Sequence, residues 1–213
     1  YGIDILDKPV LQGQVSSVKL TSKYGQNYEC RIPDQVEQER QQEEKERVAM
    51  ETGVLDLLKP MESSPCLIKT KDWWSYEFCY GKHLRQYHLE DGRISGNVMY
   101  IGYYESDFDW NNDTLRKMKS RNEFNRYHSQ KYTNGSKCDL TGGFRSAEVR
   151  FMCEDTVSDY IYRIDEPQTC TYIITVHTNK ICHHPYLKPP APKTPVPITC
   201  HPLLDQQQYD DYL

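Results

Sequence analysis

The chain has 213 residues, enough for one domain with appendages, and a formal net charge of −5 from 26 basic and 31 acidic side chains. That balance, with no basic stripe, argues against nucleic-acid binding, and no apolar run approaches the ~18 residues that a membrane-spanning helix needs. Only 37% of the residues are hydrophobic and the mean hydropathy is −0.82, so burial alone struggles to offset the entropy of ordering the chain.

Eight cysteines offer the missing stabilisation: Cys30, Cys66, Cys79, Cys138, Cys153, Cys170, Cys182 and Cys200. Their number is even, their spacing irregular, and no CxxC pair occurs, which favours disulfides in an oxidising compartment over a zinc ribbon or a redox motif. Two N-x-S/T triplets, at Asn112 and Asn134, agree with a secretory route and are candidate glycosylation sites. No leader precedes Tyr1, which reads as a mature or trimmed form.

Residues 1–34 form an N-terminal β arm in which Ser17 to Ser22 alternates apolar and polar, and Tyr24 to Cys30 continues past a Gly-Gln-Asn turn. Residues 35–63 open on QVEQERQQEEKERV, which has no apolar stripe and reads as a solvated helix or disordered linker. From 64 to 184 the chain is strand-rich. Val98 to Tyr104 reads as a buried strand, and 113–132 as a basic, Asn-rich surface excursion. Ala147 to Cys153 alternates, with Val149, Phe151 and Cys153 on one face and Glu148, Arg150 and Met152 on the other. Cys170 to His177 groups Cys170, Tyr172, Ile174 and Val176 in the same way. With no β-α-β rhythm, the expected fold is mostly β, an antiparallel sandwich or flattened barrel. Residues 185–213 form a stiff proline-rich return (Pro185, Pro189, Pro190, Pro192, Pro195, Pro197) to Cys200, then an acidic tail or short helix.

Catalytic signals are weak. There is no G-x-S-x-G elbow and no H-E-x-x-H, and paired cysteines are inert as nucleophiles, so the chain reads as a non-enzyme without cofactor. Cys182-His183-His184 with Cys200-His201 imitates a zinc cluster, but both cysteines are better used in disulfides, and no metal is expected. Trp110-Asn111-Asn112-Asp113 and Glu166-Pro167-Gln168 imitate C-type lectin calcium motifs, yet in the wrong chain order and with altered residues.

Cys66 to Gly81 (CLIKTKDWWSYEFCYG), Gln86, Gly135 to Leu140 (GSKCDL), Ala147 to Cys153 (AEVRFMC) and Asp165 to Tyr172 (DEPQTCTY) together resemble a mannose-6-phosphate receptor homology domain over about 64–184. The tandem tryptophans, the Tyr-Gly-Ile opening, Ser22 to Pro33 and the proline-rich end are similar to its endoplasmic-reticulum lectin branch. The resemblance implies a flattened barrel that grips terminal mannose without metal through Gln86, Arg150, Glu166 and Tyr172. Those residue types suit ring hydroxyls, each of which offers one donor and accepts as well. In a regular strand Trp73 and Trp74 point to opposite faces; at a bend both flank the pocket and stack on further sugar rings.

The same resemblance implies Cys138–Cys170 and Cys153–Cys182, alongside Cys66–Cys79 around the tryptophans. Cys30 and Cys200 are left on opposite flanks and are expected to pair, because an unpaired thiol is unwelcome in an oxidising lumen. As partners it implies trimmed high-mannose glycans bearing α-1,6-linked mannose on misfolded glycoproteins, and the Sel-one-like adaptor of the Hrd ubiquitin-ligase complex. Lumenal chaperones complete the set, and the compartment is the endoplasmic-reticulum lumen. The rival reading is a protein-interaction scaffold whose β domain is structural and whose arms bind partners.

Overall fold

The computed structural model describes residues 2–11, 17–31, 35–120, 126–189 and 197–212. Pro33, Pro190, Pro192 and Pro195, the middle of the 113–132 excursion, and both chain ends lie outside the described residues. The first strands are β1 (Gly2–Ile5), β2 (Val10–Leu11), β3 (Ser17–Thr21) and β4 (Asn27–Arg31). Helices α1 (Gln35–Thr52) and α2 (Val54–Leu58) follow, with a 3-10 turn at Lys59–Glu62. Next come β5 (Leu67–Lys71), β6 (Trp74–Cys79), β7 (His83–Glu90), β8 (Arg93–Asp107) and helix α3 (Asp113–Ser120). The last elements are β9 (Tyr127–Asn134), β10 (Ser146–Cys153), β11 (Tyr160–Gln168), β12 (Thr171–Thr178), β13 (Pro197–Leu204) and α4 (Gln206–Tyr212).

The chain forms two compact units, residues 1–41 with 191–213, and residues 42–190. The smaller is a five-stranded sheet in the order β1-β13-β4-β3, with β2 also on β13. Cys200 stands directly opposite Cys30 in the β13–β4 ladder, and the two form a disulfide. Residues from the two ends of the sequence thus build one sheet.

The larger unit is an eight-stranded sheet in the order β11-β12-β10-β9-β8-β7-β6-β5. Its edges approach each other, and Lys71 Nζ on β5 donates to the Ile164 carbonyl on β11 at 2.9 Å, so the sheet is nearly closed. Alternation fills the interior: Ala147, Val149 and Phe151 of β10 and Tyr172, Ile174 and Val176 of β12 are all buried. Phe78 meets Tyr132 and Phe151 at 5.6 Å and 5.9 Å between ring centres, in tilted or edge-on geometry. Cys66–Cys79, Cys138–Cys170 and Cys153–Cys182 close loops across this sheet. In the chain-entropy picture each is worth about 3 kcal/mol.

Four expectations are corrected. The sheet is not wholly antiparallel: β12 runs parallel to β10, because the chain leaves β10 for the edge position β11 and then turns back into the gap between them. Within 35–63, α1 is an 18-residue helix, and Val54, Leu58 and Met61 are buried in the barrel core, so 54–62 is no linker. Leu187 is buried there too, and the larger unit therefore exceeds 64–184 at both ends. Of Val98 to Tyr104 only Ile101 and Gly102 are buried, while 127–132 is an interior strand with His128, Gln130 and Tyr132 at 0–1% exposure.

Candidate carbohydrate-binding site

Gln86, Tyr76 and Tyr172 face the interior. Tyr76 of β6 is paired with Gln86 of β7, and its ring lies 6.5 Å from that of Tyr172 on β12. Both tyrosine hydroxyls are held neutral. Burial pushes Tyr76 up to about 12, and also raises Tyr172, against the pull of the Arg145 guanidinium.

Glu166 arrives differently. The β11–β12 register shifts between Asp165 and Gln168, and Cys170 takes a left-handed φ of 64° in the turn that follows. This irregular turn folds the exposed Glu166 carboxylate back to accept the Cys170 N–H at 2.7 Å. Its charge reaches both tyrosines and raises their pKa further.

Arg150 does not join them. It lies on the outer face of β10, where it pairs with Glu148 at 2.7 Å and stacks its guanidinium over Tyr127 at 4.7 Å. The arginine at the site is Arg145, whose Nη1 donates to the Tyr172 hydroxyl at 2.9 Å. The reason is the two-residue period of a strand: Arg145 shares the parity of buried Ala147, Val149 and Phe151, whereas Arg150 shares that of Glu148 and Met152. That signal is present in the sequence, since an arginine facing away from Val149 and Phe151 is not on the face that carries Tyr172.

Two polar atoms here are buried without a hydrogen-bond partner, the Gln86 Oε1 acceptor and the Arg145 Nε donor. An unsatisfied buried group costs about 1–3 kcal/mol, so two of opposite kind in one cluster amount to a binding offer. Hydroxyls, which can both donate and accept, suit an orphan acceptor and an orphan donor alike.

Trp73 and Trp74 sit where the chain bends, the second of the two arrangements expected from the sequence. Lys71 pairs with Trp74, so Asp72 and Trp73 form a two-residue turn in which Asp72 has φ 54°. Trp74 is half-buried against the core, while Trp73 is 63% exposed and stacks on His88. Both line one groove of about 390 Å³, with His88, Ser95, Gly96, Asn97 and Met99.

Among the described residues, the one cluster of three possible metal ligands is Cys66, Glu77 and Cys79. It comprises a disulfide and a carboxylate already held by Arg85 at 2.8 Å. Cys182 and Cys200 of the apparent zinc cluster are likewise in disulfides. Both sequon asparagines are exposed, and Asn112 Oδ1 accepts the Thr114 and Leu115 N–H groups at the start of α3.

Fold and site together define a disulfide-braced, nearly closed β-barrel with a polar side-chain cluster and an aromatic groove. The family described as Glucosidase II beta subunit-like protein matches residues 64–138. Human Protein OS-9 is 49% identical over the whole chain, and an Arabidopsis thaliana Protein OS-9 homolog is 34% identical over 87% of this chain and 70% of its own length. The chain belongs to the OS-9 family. It spans about a third of the mammalian relatives' length (33% for the human protein). Among solved structures, the MRH domain of Yos9 complexed with alpha3,alpha6-Man5 aligns with 76% of this chain and 100% of its own, at 20% identity and a TM-score of 0.45.

Proposed function

We propose that this chain is a lectin that binds the terminal mannose of trimmed high-mannose N-glycans. The observation that carries the reading is the pair of unsatisfied buried atoms, Gln86 Oε1 and Arg145 Nε, beside the Tyr172 hydroxyl and the Glu166 carboxylate. Gln86 and Arg145 grip one pair of adjacent ring hydroxyls, and Glu166 and Tyr172 the next. No metal takes part in this scheme. The half-buried and exposed indoles of Trp74 and Trp73 receive the neighbouring ring, and a flexible α-1,6 linkage lets that ring swing onto them.

Membership of the OS-9 family supports the wider role. In it the chain works in the endoplasmic-reticulum lumen, selects misfolded glycoproteins for degradation, and passes them to the Hrd ubiquitin-ligase complex through its Sel-one-like adaptor, with lumenal chaperones as further partners. Asn112 and Asn134 are sites for its own glycosylation.

The test is a glycan array with the whole 213-residue chain, followed by calorimetry on Glu166→Gln. Selective binding of α-1,6-terminated mannose glycans, lost in the folded variant, is the expected result. Equal retention of all glycans, or none by the parent chain, overturns the reading.

A further inference from the structure

Trp73 lacks the usual means of holding an aromatic side chain in place. It lies in the turn rather than in a paired strand, and it is 63% exposed, so neither ladder hydrogen bonds nor core packing fix its indole. His88 does both jobs. Its ring lies parallel to the indole, 3.6 Å between centroids and 10° between planes. Its Nδ1 is 2.8 Å from the Trp73 carbonyl oxygen. A carbonyl can only accept, so Nδ1 carries the proton and donates, which sets the ring's tautomer and orientation together.

The backbone explains how His88 reaches this place. Pairing of β6 with β7 ends at Ser75 and Tyr87, and the β7–β8 ladder shifts register between Gln86 and His88. Gln86 stays buried in the interior while His88, two residues on, lines the groove beside the turn. Ser95, the ladder partner of His88, lines the same groove with Asn97 and Gly96, whose φ is 77°.

We propose that His88 is a positioning residue for sugar recognition: it clamps Trp73 so that the free face of the indole is already set for the second ring of a mannose oligosaccharide. This rests on the lectin reading above. An exposed aromatic residue on a turn would otherwise give up rotamer freedom on binding, whereas a clamped one has done so on folding. The consequence is specific. His88 should matter for ligands that extend beyond one ring and not for the ring gripped by Gln86, Arg145, Glu166 and Tyr172.

The experiment compares the parent chain with His88→Ala and His88→Phe by calorimetry, using free mannose and an α-1,6-linked mannotriose, with tryptophan fluorescence lifetimes alongside. His88→Ala should bind the trisaccharide three- to tenfold more weakly and free mannose as before. A longer-lived emission component should emerge as imidazole quenching of Trp73 stops. His88→Phe keeps the stack without the N–H, should fold even if the alanine variant does not, and should recover most of the trisaccharide affinity. Unchanged trisaccharide binding in His88→Ala, equal losses for both sugars, or no recovery in His88→Phe overturns the proposal. A parent chain that binds neither sugar sinks the lectin reading, and the clamp's role in recognition with it.

Discussion

Two buried polar clusters share the interior of the barrel, and they differ in one respect. In the first, Trp110 Nε1 donates to His128 Nδ1 at 3.0 Å, and His128 Nε2 donates to Asp107 at 2.9 Å. Gln130 Nε2 donates to the same carboxylate at 2.9 Å and its oxygen accepts from the Tyr132 hydroxyl at 2.8 Å, which in turn accepts the Gly81 N–H at 3.1 Å. In the second cluster Arg145 reaches Tyr172, yet Arg145 Nε and Gln86 Oε1 have no partner. The clusters are bridged by one ladder, in which Ala147 faces Tyr132 on one side and Tyr172 on the other. Composition does not separate them, since both mix charged, amide and phenolic groups. Satisfaction does. A closed network specifies and holds the fold, while an open one keeps bonding capacity for a molecule from outside.

The largest effect should come from breaking the closed cluster. Asp107→Ala strands His128, Gln130 and the Tyr104 hydroxyl, and should cost about 3–5 kcal/mol of stability in a urea titration. Mannose affinity of the fraction that remains folded should hardly change. A loss of affinity without a loss of stability would erase the distinction between the two clusters.

Opening the other cluster should do the reverse. Arg145→Ala removes a charged donor aimed at the ligand, worth about 1.5–3 kcal/mol of binding, or roughly 10- to 150-fold in affinity. Its melting temperature should stay near that of the parent chain. A strongly destabilised variant would mean that Arg145 belongs to the fold instead of the ligand.

Acid should act on the closed cluster first. Burial lowers the pKa of His128 and pushes that of His184, whose ring lies 6.1 Å from that of Trp110, down to about 4, below the ordinary imidazole value of ~6.5. Between those values the unfolded chain binds protons that the folded chain refuses, so stability is full above pH ~6.5 and falls as the pH drops toward the folded pKa. For His184 alone this amounts to roughly 2 kcal/mol by pH 5. Burial works against ionisation of Asp107, but hydrogen bonds from His128, Tyr104 and Gln130 outweigh it and lower its pKa. Its contribution is present above the unfolded value and is lost only in stronger acid, through the folded pKa. Melting temperatures should therefore hold from pH 7.5 to about 6.5 and then fall toward pH 4.5, less steeply in His184→Phe. A flat profile would contradict this account.

The smallest effect is expected from Arg150→Ala. It removes a partly exposed ion pair with Glu148 and a contact with Tyr127, worth about 0–1 kcal/mol. Calorimetry should find mannose binding unaltered. A loss comparable with that of Arg145→Ala would reverse the assignment of the two arginines.

Much of this architecture is local and so was legible in the sequence. A period of two marks β10 and β12 because one face of each must leave water, and that alone places Tyr172 inward and Arg150 outward. The structure joins Cys66–Cys79, Cys138–Cys170, Cys153–Cys182 and Cys30–Cys200, the pairs expected from the resemblance and from the two cysteines left over. The strand partners are another matter. Alternation says which face is buried but carries no direction, and only the return of β12 into the gap between β11 and β10 makes that pair parallel. Val54 and Leu58 lie in a helix, and Met61 in a 3-10 turn, too short to show a period, so only packing reveals that they complete the core. The site itself is decided at that level. Gln86, Arg145, Glu166 and Tyr172 lie on separate elements, and a turn, a register shift and an irregular β11–β12 connection fix which of their atoms are left without partners.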